Sequence, residues 1–531
     1  METMATRGNK VKVFKSLKET RKAEVAKIIG EIPEWATGQI LRSCPAKWDY
    51  PKFRLNHVHD GYLMITKFEV VGGKTGSVAF TSKFLQSEAF KKAEAEQKPI
   101  ISEFYTRTAG SDAKSALGKI VSSMIPKPTD NCQYICTSDI CRNPIVTNHA
   151  GFMFEVDPKT LHTVSRYDSA AKDNLYALSS HPLTDPETGE TNNVGLDMIP
   201  TTKWKVVKYP PKLKSSSLQE SLKKGKIIGS HPCRYKVEAP YLHSFGMSKN
   251  FVLWIDEPCH FNSAQAIKLV FKGFCQREVM DWYPKRKNQF YIFDKNTHKV
   301  VKTEIFSKDP FFFLHILNCY EENNHLIVDL FSMRNIQFMD IQLVTKLRTG
   351  NVLKDPDCPR LLRYVIPLNT IEDQIGKFPE NKNLVKLNST GKAVRIGDKI
   401  ILEPEVISDL KMDFPTWNER FYGKQLRFFW ATGAFCASRH QNKIIKFDLH
   451  TRKYIIWDAG GHQYVGEPTF IGKPNSALED DGLIVVTVVN YTETDEKDFV
   501  VWLDSKNLKE VGRAYFDCEI PIGIHSVWLS K

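Results

Sequence analysis

The sequence predicts an all-β fold, on three observations: short strand-like runs bounded by turn residues, few helical stretches, and a hairpin signature that recurs along the chain. Runs such as 62–68, 482–489 and 499–503 are rich in Val, Ile, Phe or Tyr and end at Gly, Asp or Asn, as strands do. Four segments share an apolar strand, an Asp, two residues, a Thr or Asn, and a second strand: Asp157 to Thr160, Asp294 to Thr297, Asp448 to Thr451 and Asp504 to Asn507. Side chains of this kind can hydrogen-bond their own backbone and close a tight hairpin. Two of the separations, 137 and 154 residues, are near multiples of about 70 to 77, and the chain holds about seven such units. This favours a β-propeller over a sandwich. At roughly 100–200 residues per domain the length would suggest three domains, but closed all-β architectures are an exception. Residues 48–531 are therefore read as one domain, behind a charged N-terminal extension, residues 1–47, expected to be frayed.

Two segments break the β pattern. Residues 114–125, from Lys114 to Ile125, place Leu117, Ile120, Val121, Met124 and Ile125 on one helical stripe with Lys114 and Lys119 off it. Residues 266–274, from Ala266 to Phe274, are similarly apolar with Lys268 and Lys272 interspersed. Each stripe can be buried in the protein or dip into a bilayer leaflet. No apolar run approaches the ~20 residues that span a membrane.

The net charge of +13 is local, with lysines concentrated in the first 30 residues and around Lys203 to Lys226. It invites an anionic partner, and a peripheral membrane surface fits better than nucleic acid, for which there is no RNP motif, zinc-finger spacing or helix-turn-helix signal. Solvated lysines that aid solubility are an equal account. The first 21 residues are charged and lack the apolar stretch of a secretory signal, which places the chain in the cytoplasm. Eleven scattered cysteines fit free thiols in a reducing compartment, and the sequons at Asn388 and Asn490 are then chance matches.

Familiar catalytic signatures are missing. There is no His-Glu-x-x-His helix and no Gly-x-Ser-x-Gly elbow, and Gly73-Lys74-Thr75 is no phosphate loop because Phe68 stands where its first glycine is required. Cys132, Cys136 and Cys141 have no usual zinc spacing. What remains is a set of 15 histidines, of which context must select the useful ones.

Four of them stand in Ser180-His181-Pro182, Tyr241-Leu242-His243-Ser244-Phe245-Gly246, Phe313-Leu314-His315-Ile316-Leu317-Asn318 and Ile520-Pro521-Ile522-Gly523-Ile524-His525. With His57 and Asp60-Gly61, Glu103-Phe104, Thr129-Asp130-Asn131 and Gly466-Glu467-Pro468, these segments resemble the carotenoid cleavage oxygenase family from about Asp49 to the C-terminus. The animal branch, which includes carotene oxygenases and the retinoid isomerohydrolase, is the most similar. The resemblance implies a seven-bladed β-propeller with a helical and loop cap. It implies iron(II), Fe(2+), held by His181, His243, His315 and His525, a carotenoid or apocarotenoid threaded through an apolar tunnel, and dioxygen added across one double bond to give two carbonyl products. Phe104 is expected in that tunnel. Ligand separations of 62, 72 and 210 residues agree with one, one and three blades. Four neutral imidazoles suit a divalent iron with open positions better than tight structural zinc. A retinoid isomerohydrolase, or a carotenoid-binding homologue with impaired turnover, are the alternatives.

The family orients three of its histidines with glutamates. Here Glu467 matches, Asp413 replaces the second, and His149 stands at the third. Aspartate, one methylene shorter, must reach through backbone adjustment or a water; His149 can accept a hydrogen bond but brings no charge. The chain also reads Ala109-Gly110-Ser111-Asp112-Ala113-Lys114 where many animal members carry Pro-Asp-Pro-Cys-Lys, so lipid anchoring through that cysteine is excluded.

Overall fold

The computed structural model describes residues 14–531, apart from 109–127, 133, 138, 214, 263–264, 266–273, 349–357, 372–374, 434–441, 462 and 491–495. Among the described residues seven sheets have four or more strands, and they follow one another along the chain. The second occupies residues 134–168 and the third 177–232. The fourth joins 246–307 to 392–403, the fifth 312–367 to 405–408, and the sixth spans 413–458. The seventh takes 463–515 and is completed by Lys27–Gly30. The first is built on Gly38–Lys47, which pairs antiparallel with Tyr62–Val71 on one side and with the last strand, His525–Ser530, on the other. The two ends of the polypeptide thus share one sheet.

Alternation explains why the sheets stack. Strand residues on each face are apolar, and every consecutive pair of sheets encloses one apolar cluster. Leu41 and Ile65 of the first sheet meet Val146 and Phe154 of the second. Trp204 of the third meets Trp254 and Phe293 of the fourth, and Leu253 and Phe290 of the fourth meet Leu326 and Tyr364 of the fifth. The series runs on through Phe331 and Phe429, then Trp430 and Val486. It closes where Val485 and Trp502 of the seventh sheet pack on Ile40 and Phe68 of the first. Each fully buried side chain of this size contributes about 1.5–3 kcal/mol.

The four hairpin signatures form one repeated turn. Asp157, Asp294, Asp448 and Asp504 each accept, through Oδ1, a backbone N–H two residues on, at 3.0, 2.7, 2.9 and 2.9 Å. The fourth residue after each Asp, Leu161, His298, Arg452 or Leu508, then turns into the left-handed region at φ 56–58°. Its N–H returns to the Asp carbonyl at 2.8–2.9 Å. Asp185 makes a fifth copy, with Gly189 in the left-handed position. These Asx turns let ordinary residues occupy a conformation that otherwise favours glycine.

Order begins earlier than the expected boundary at Lys47. Strands run over Glu24–Val25, Lys27–Gly30 and Gly38–Lys47, and Ile40, Leu41, Cys44 and Ala46 are fully buried. The reason is Arg42, whose charge marks a surface in sequence but which is buried in the fold. It donates to Glu467 O at 2.7 Å, Thr469 Oγ1 at 2.8 Å and Val485 O at 3.0 Å. The expected helix at 114–125 and all but Phe274 of 266–274 lie outside the described residues. Among the described residues no helix is long and apolar enough to cross a membrane.

Candidate metal centre

Seven side chains converge in one cluster, and each comes from a different one of the seven sheets or its adjoining turn. His149 follows Ile145–Thr147 in the second sheet, His181 lies between Ala177–Leu178 and Leu183–Thr184 in the third, and His243 precedes Gly246–Met247 in the fourth. His315 sits inside Phe312–Glu322 of the fifth, Asp413 opens Asp413–Thr416 of the sixth, Glu467 precedes Thr469–Gly472 of the seventh, and His525 opens the closing strand of the first. The strands aim these groups through irregular pairing. The register slips on both sides of Ile316 and again between Asp413 and Thr416, as bulges do when they redirect a side chain.

The imidazoles face one another through Nε2. His243 Nε2 stands 3.2 Å from Nε2 of His181 and 3.2 Å from Nε2 of His315. Ligating nitrogens of His181, His315 and His525 fall within 4.8 Å of one another. The rings of His181 and His525 cross at 88°, and those of His243 and His315 at 78°, so the nitrogens point inward from different planes.

Behind the rings the Nδ1 atoms are tied. His315 Nδ1 is 2.7 Å from Asp413 Oδ1, His525 Nδ1 is 2.8 Å from Glu467 Oε2, and His243 Nδ1 is 3.1 Å from His149 Nε2. His149 Nδ1 in turn lies 3.3 Å from Ser180 Oγ. One proton assignment satisfies the chain: His243 donates from Nδ1 to His149 Nε2, and His149 donates from Nδ1 to Ser180. With Nδ1 protonated, the Nε2 atoms of His243 and His315 carry lone pairs, which repel at 3.2 Å unless a cation lies between them. The donor set therefore fits a metal ion, and the carboxylates and His149 are the outer partners that fix its ligands.

Electrostatics agrees. Burial, and then the neighbouring imidazoles, push His181 and His243 well below the ordinary histidine range, and the same causes bring His149 down to about 3. These rings stay neutral and keep their lone pairs. Burial also opposes charge on His315, but the Asp413 carboxylate outweighs it and raises that ring above its ordinary value. Asp413 reaches His315 directly by backbone adjustment: Phe414 takes a left-handed φ of 54°, and its N–H donates to Asp413 Oδ1 at 2.8 Å. Strain of this sort is stored at functional sites.

Two cavities touch the histidines. One, of about 10 Å³, is bounded by His243, His315, His525, His59, Gln342 and Phe414 among others. The other, of about 710 Å³, reaches His181, His315, His525 and Glu467 and is walled by Trp417 and Phe470. Phe104 lines neither. It packs edge-on against His57 with ring centroids 5.9 Å apart, beside the cluster that holds Tyr62 and Phe338. Cys141, weighed as a soft-metal ligand, is a separate buried thiol that burial pushes up to about 12.

Sequence reasoning missed the hydroxyls that brace the loops. Ser179 Oγ donates to His243 O at 2.7 Å and accepts from His181 N at 3.1 Å. Ser244 Oγ donates to Leu314 O at 2.6 Å and accepts from Ile316 N at 3.0 Å. Their position beside the histidines was the available signal. Arg42, Phe414 and His59 carried none.

The model for the family described as retinal pigment epithelial membrane protein matches residues 13–530. The chain belongs to this family, the carotenoid cleavage oxygenases. Among relatives, the mitochondrial carotenoid-cleaving dioxygenase of Mustela putorius furo is 28% identical over 97% of this chain and 95% of that protein. The β,β-carotene 15,15′-dioxygenase of Mus musculus is 27% identical over 96% of this chain and 90% of that protein. Two solved structures share the fold of this family member. The cobalt-substituted apocarotenoid oxygenase of Synechocystis gives a TM-score of 0.75 at 18% identity, covering 97% of each chain. A chimera of that enzyme with RPE65 gives 0.75 at 18%, covering 98% of each chain.

Proposed function

We propose that this chain is a non-haem iron(II) dioxygenase that cleaves one double bond of a carotenoid or apocarotenoid into two carbonyl products. The observation that carries the proposal is the inward convergence of His181, His243, His315 and His525, with Nδ1 of three of them held from behind. In this reading the seven sheets are the blades of a propeller. The cyclic series of apolar clusters and the supply of one site residue per sheet are what such a ring requires.

What iron contributes when bound is the activation of dioxygen beside the substrate. The rest is the work of the chain. His315 and His525 present Nε2 lone pairs because Asp413 and Glu467 hold their Nδ1 protons, and His243 does so through neutral His149. Leu314, Phe338, Phe414 and Ile524 give the small cavity beside the histidines an apolar wall that limits water there. A long polyene gains many kcal/mol by leaving water at roughly 25 cal/mol per Å², so loading from a membrane surface, from the cytoplasmic side, belongs to the same proposal.

The test is incubation of iron-loaded protein with several carotenoids and, in parallel, with a retinoid ester under ¹⁸O₂, with mass analysis of the products and solvent exchange controlled. Two labelled carbonyl fragments are expected. An unlabelled isomerised alcohol would replace this reading with ester isomerohydrolysis. A second reading, a carotenoid-binding homologue with impaired turnover, is favoured by His149, which brings no charge to His243; intact pigment left bound to the iron-loaded protein would establish it.

A further inference from the structure

We infer that His59, together with Gln342, is a hydrogen-bonding subsite for a small exogenous ligand in the cavity beside the four histidines. This inference rests on the four-histidine reading and extends it to a residue outside that set. His59 belongs to the short turn Val58–Asp60, and its position is fixed from two sides. His57 Nδ1 accepts from His59 N at 3.1 Å, and the two rings stack with centroids 5.2 Å apart. His57 itself is buried and held through Nε2, 2.8 Å from Met339 O. From the other side Val58 N donates to Gln342 O at 3.0 Å, and the Gln342 side chain hydrogen-bonds the His59 ring. Gln342 is 2% exposed.

The His59 ring and the Gln342 amide thus form a polar segment in the wall of the cavity of about 10 Å³ that His243, His315 and His525 also bound. The remaining lining is apolar. Such a space admits only a small ligand, and His59 and Gln342 are the hydrogen-bonding groups there besides the ligating histidines. His59, its ring stacked on His57 and hydrogen-bonded by Gln342, is assigned as a partner for what binds at the metal rather than as a ligand to it. Azide is a suitable probe, because a hydrogen bond to a charged acceptor in a water-poor cavity is strong.

The experiment titrates azide into cobalt-loaded full-length protein, following the visible d–d bands, after cobalt stoichiometry has been measured. His59→Phe should weaken azide binding about tenfold or more, with cobalt stoichiometry and the azide-free spectrum unchanged. His59→Gln, which keeps a donor, should lie within about threefold of the unaltered protein. Gln342→Leu should lose several-fold, and it tests the subsite independently should His59→Phe not fold. Equal azide affinity in these variants would overturn the inference while leaving the four-histidine centre standing. A changed azide-free spectrum in His59→Phe would overturn it too, by making His59 a ligand. Failure of the unaltered protein to take up cobalt would remove the centre and the inference together.

Discussion

The two sides of the histidine cluster are held in different ways. His315 and His525 lean on carboxylates at 2.7 and 2.8 Å, whereas His243 leans on a neutral imidazole at 3.1 Å. A carboxylate fixes the tautomer, raises the basicity of the ring and offsets the charge of the ion; the imidazole of His149 does only the first. Two carboxylates match the +2 charge of a divalent ion. A third would leave the buried centre net negative. The difference teaches that orientation and charge are separable jobs in this site: all three outer partners orient a ring, and two of them also bring charge.

The sharpest break of this comparison removes a ligand on the charged side. His315→Ala should abolish stoichiometric iron binding, measured by metal analysis after gel filtration, because the ring that sets Nε2 beside His243 and is held by Asp413 through Nδ1 is lost. Asp413→Asn and Glu467→Gln should each weaken iron retention by about 10- to 100-fold in competition with a chelator, and His149→Ala should cost less. If His149→Ala cost as much as either, orientation alone would account for both sides. His149→Glu should strengthen retention by up to about tenfold. Asp413→Glu should add nothing, since the shorter side chain already touches its histidine, and a gain on chelator competition would contradict the direct contact.

The smallest effect lies away from the centre, where Asp49 ties Arg348 at 2.9 Å and Arg54 at 2.7 Å. Burial would raise the Asp49 carboxyl, but Arg348, Ser16 and Arg54 outweigh it and hold it at about 2 against an ordinary 3.8. A depressed carboxyl contributes stability above its unfolded value, and that contribution is lost as pH falls from about 4 to about 2. Because the group is partly exposed, the effect is about 1 kcal/mol or less. Asp49→Asn should flatten this part of the unfolding curve against pH, as measured by urea denaturation.

Much of the candidate site was legible because residue type and local segment pick out the histidines that converge. His181, His243, His315 and His525 announce themselves through the segments around them, and Glu467, Asp413 and His149 followed from where those segments place the outer partners. The hairpins were legible because an Asp two residues before a turn amide acts locally. What was hidden depends on contacts far apart in sequence. Arg42 reads as a surface charge until Glu467, Thr469 and Val485 arrive from more than 400 residues away, so residues 24–47 looked like an extension. The placing of Phe104 in a tunnel rests on the resemblance alone, because nothing local separates a tunnel wall from a core. His59 is one of fifteen histidines, and only the cavity sets it apart.

The central claim is that one divalent ion is held by imidazoles from four different sheets. X-ray absorption at the iron edge of the anaerobically loaded full-length protein tests it most directly. One iron per chain, with a scattering pattern of four imidazoles and no sulfur, is expected. An iron shell containing thiolate, or a pattern with two imidazoles or fewer, would contradict it.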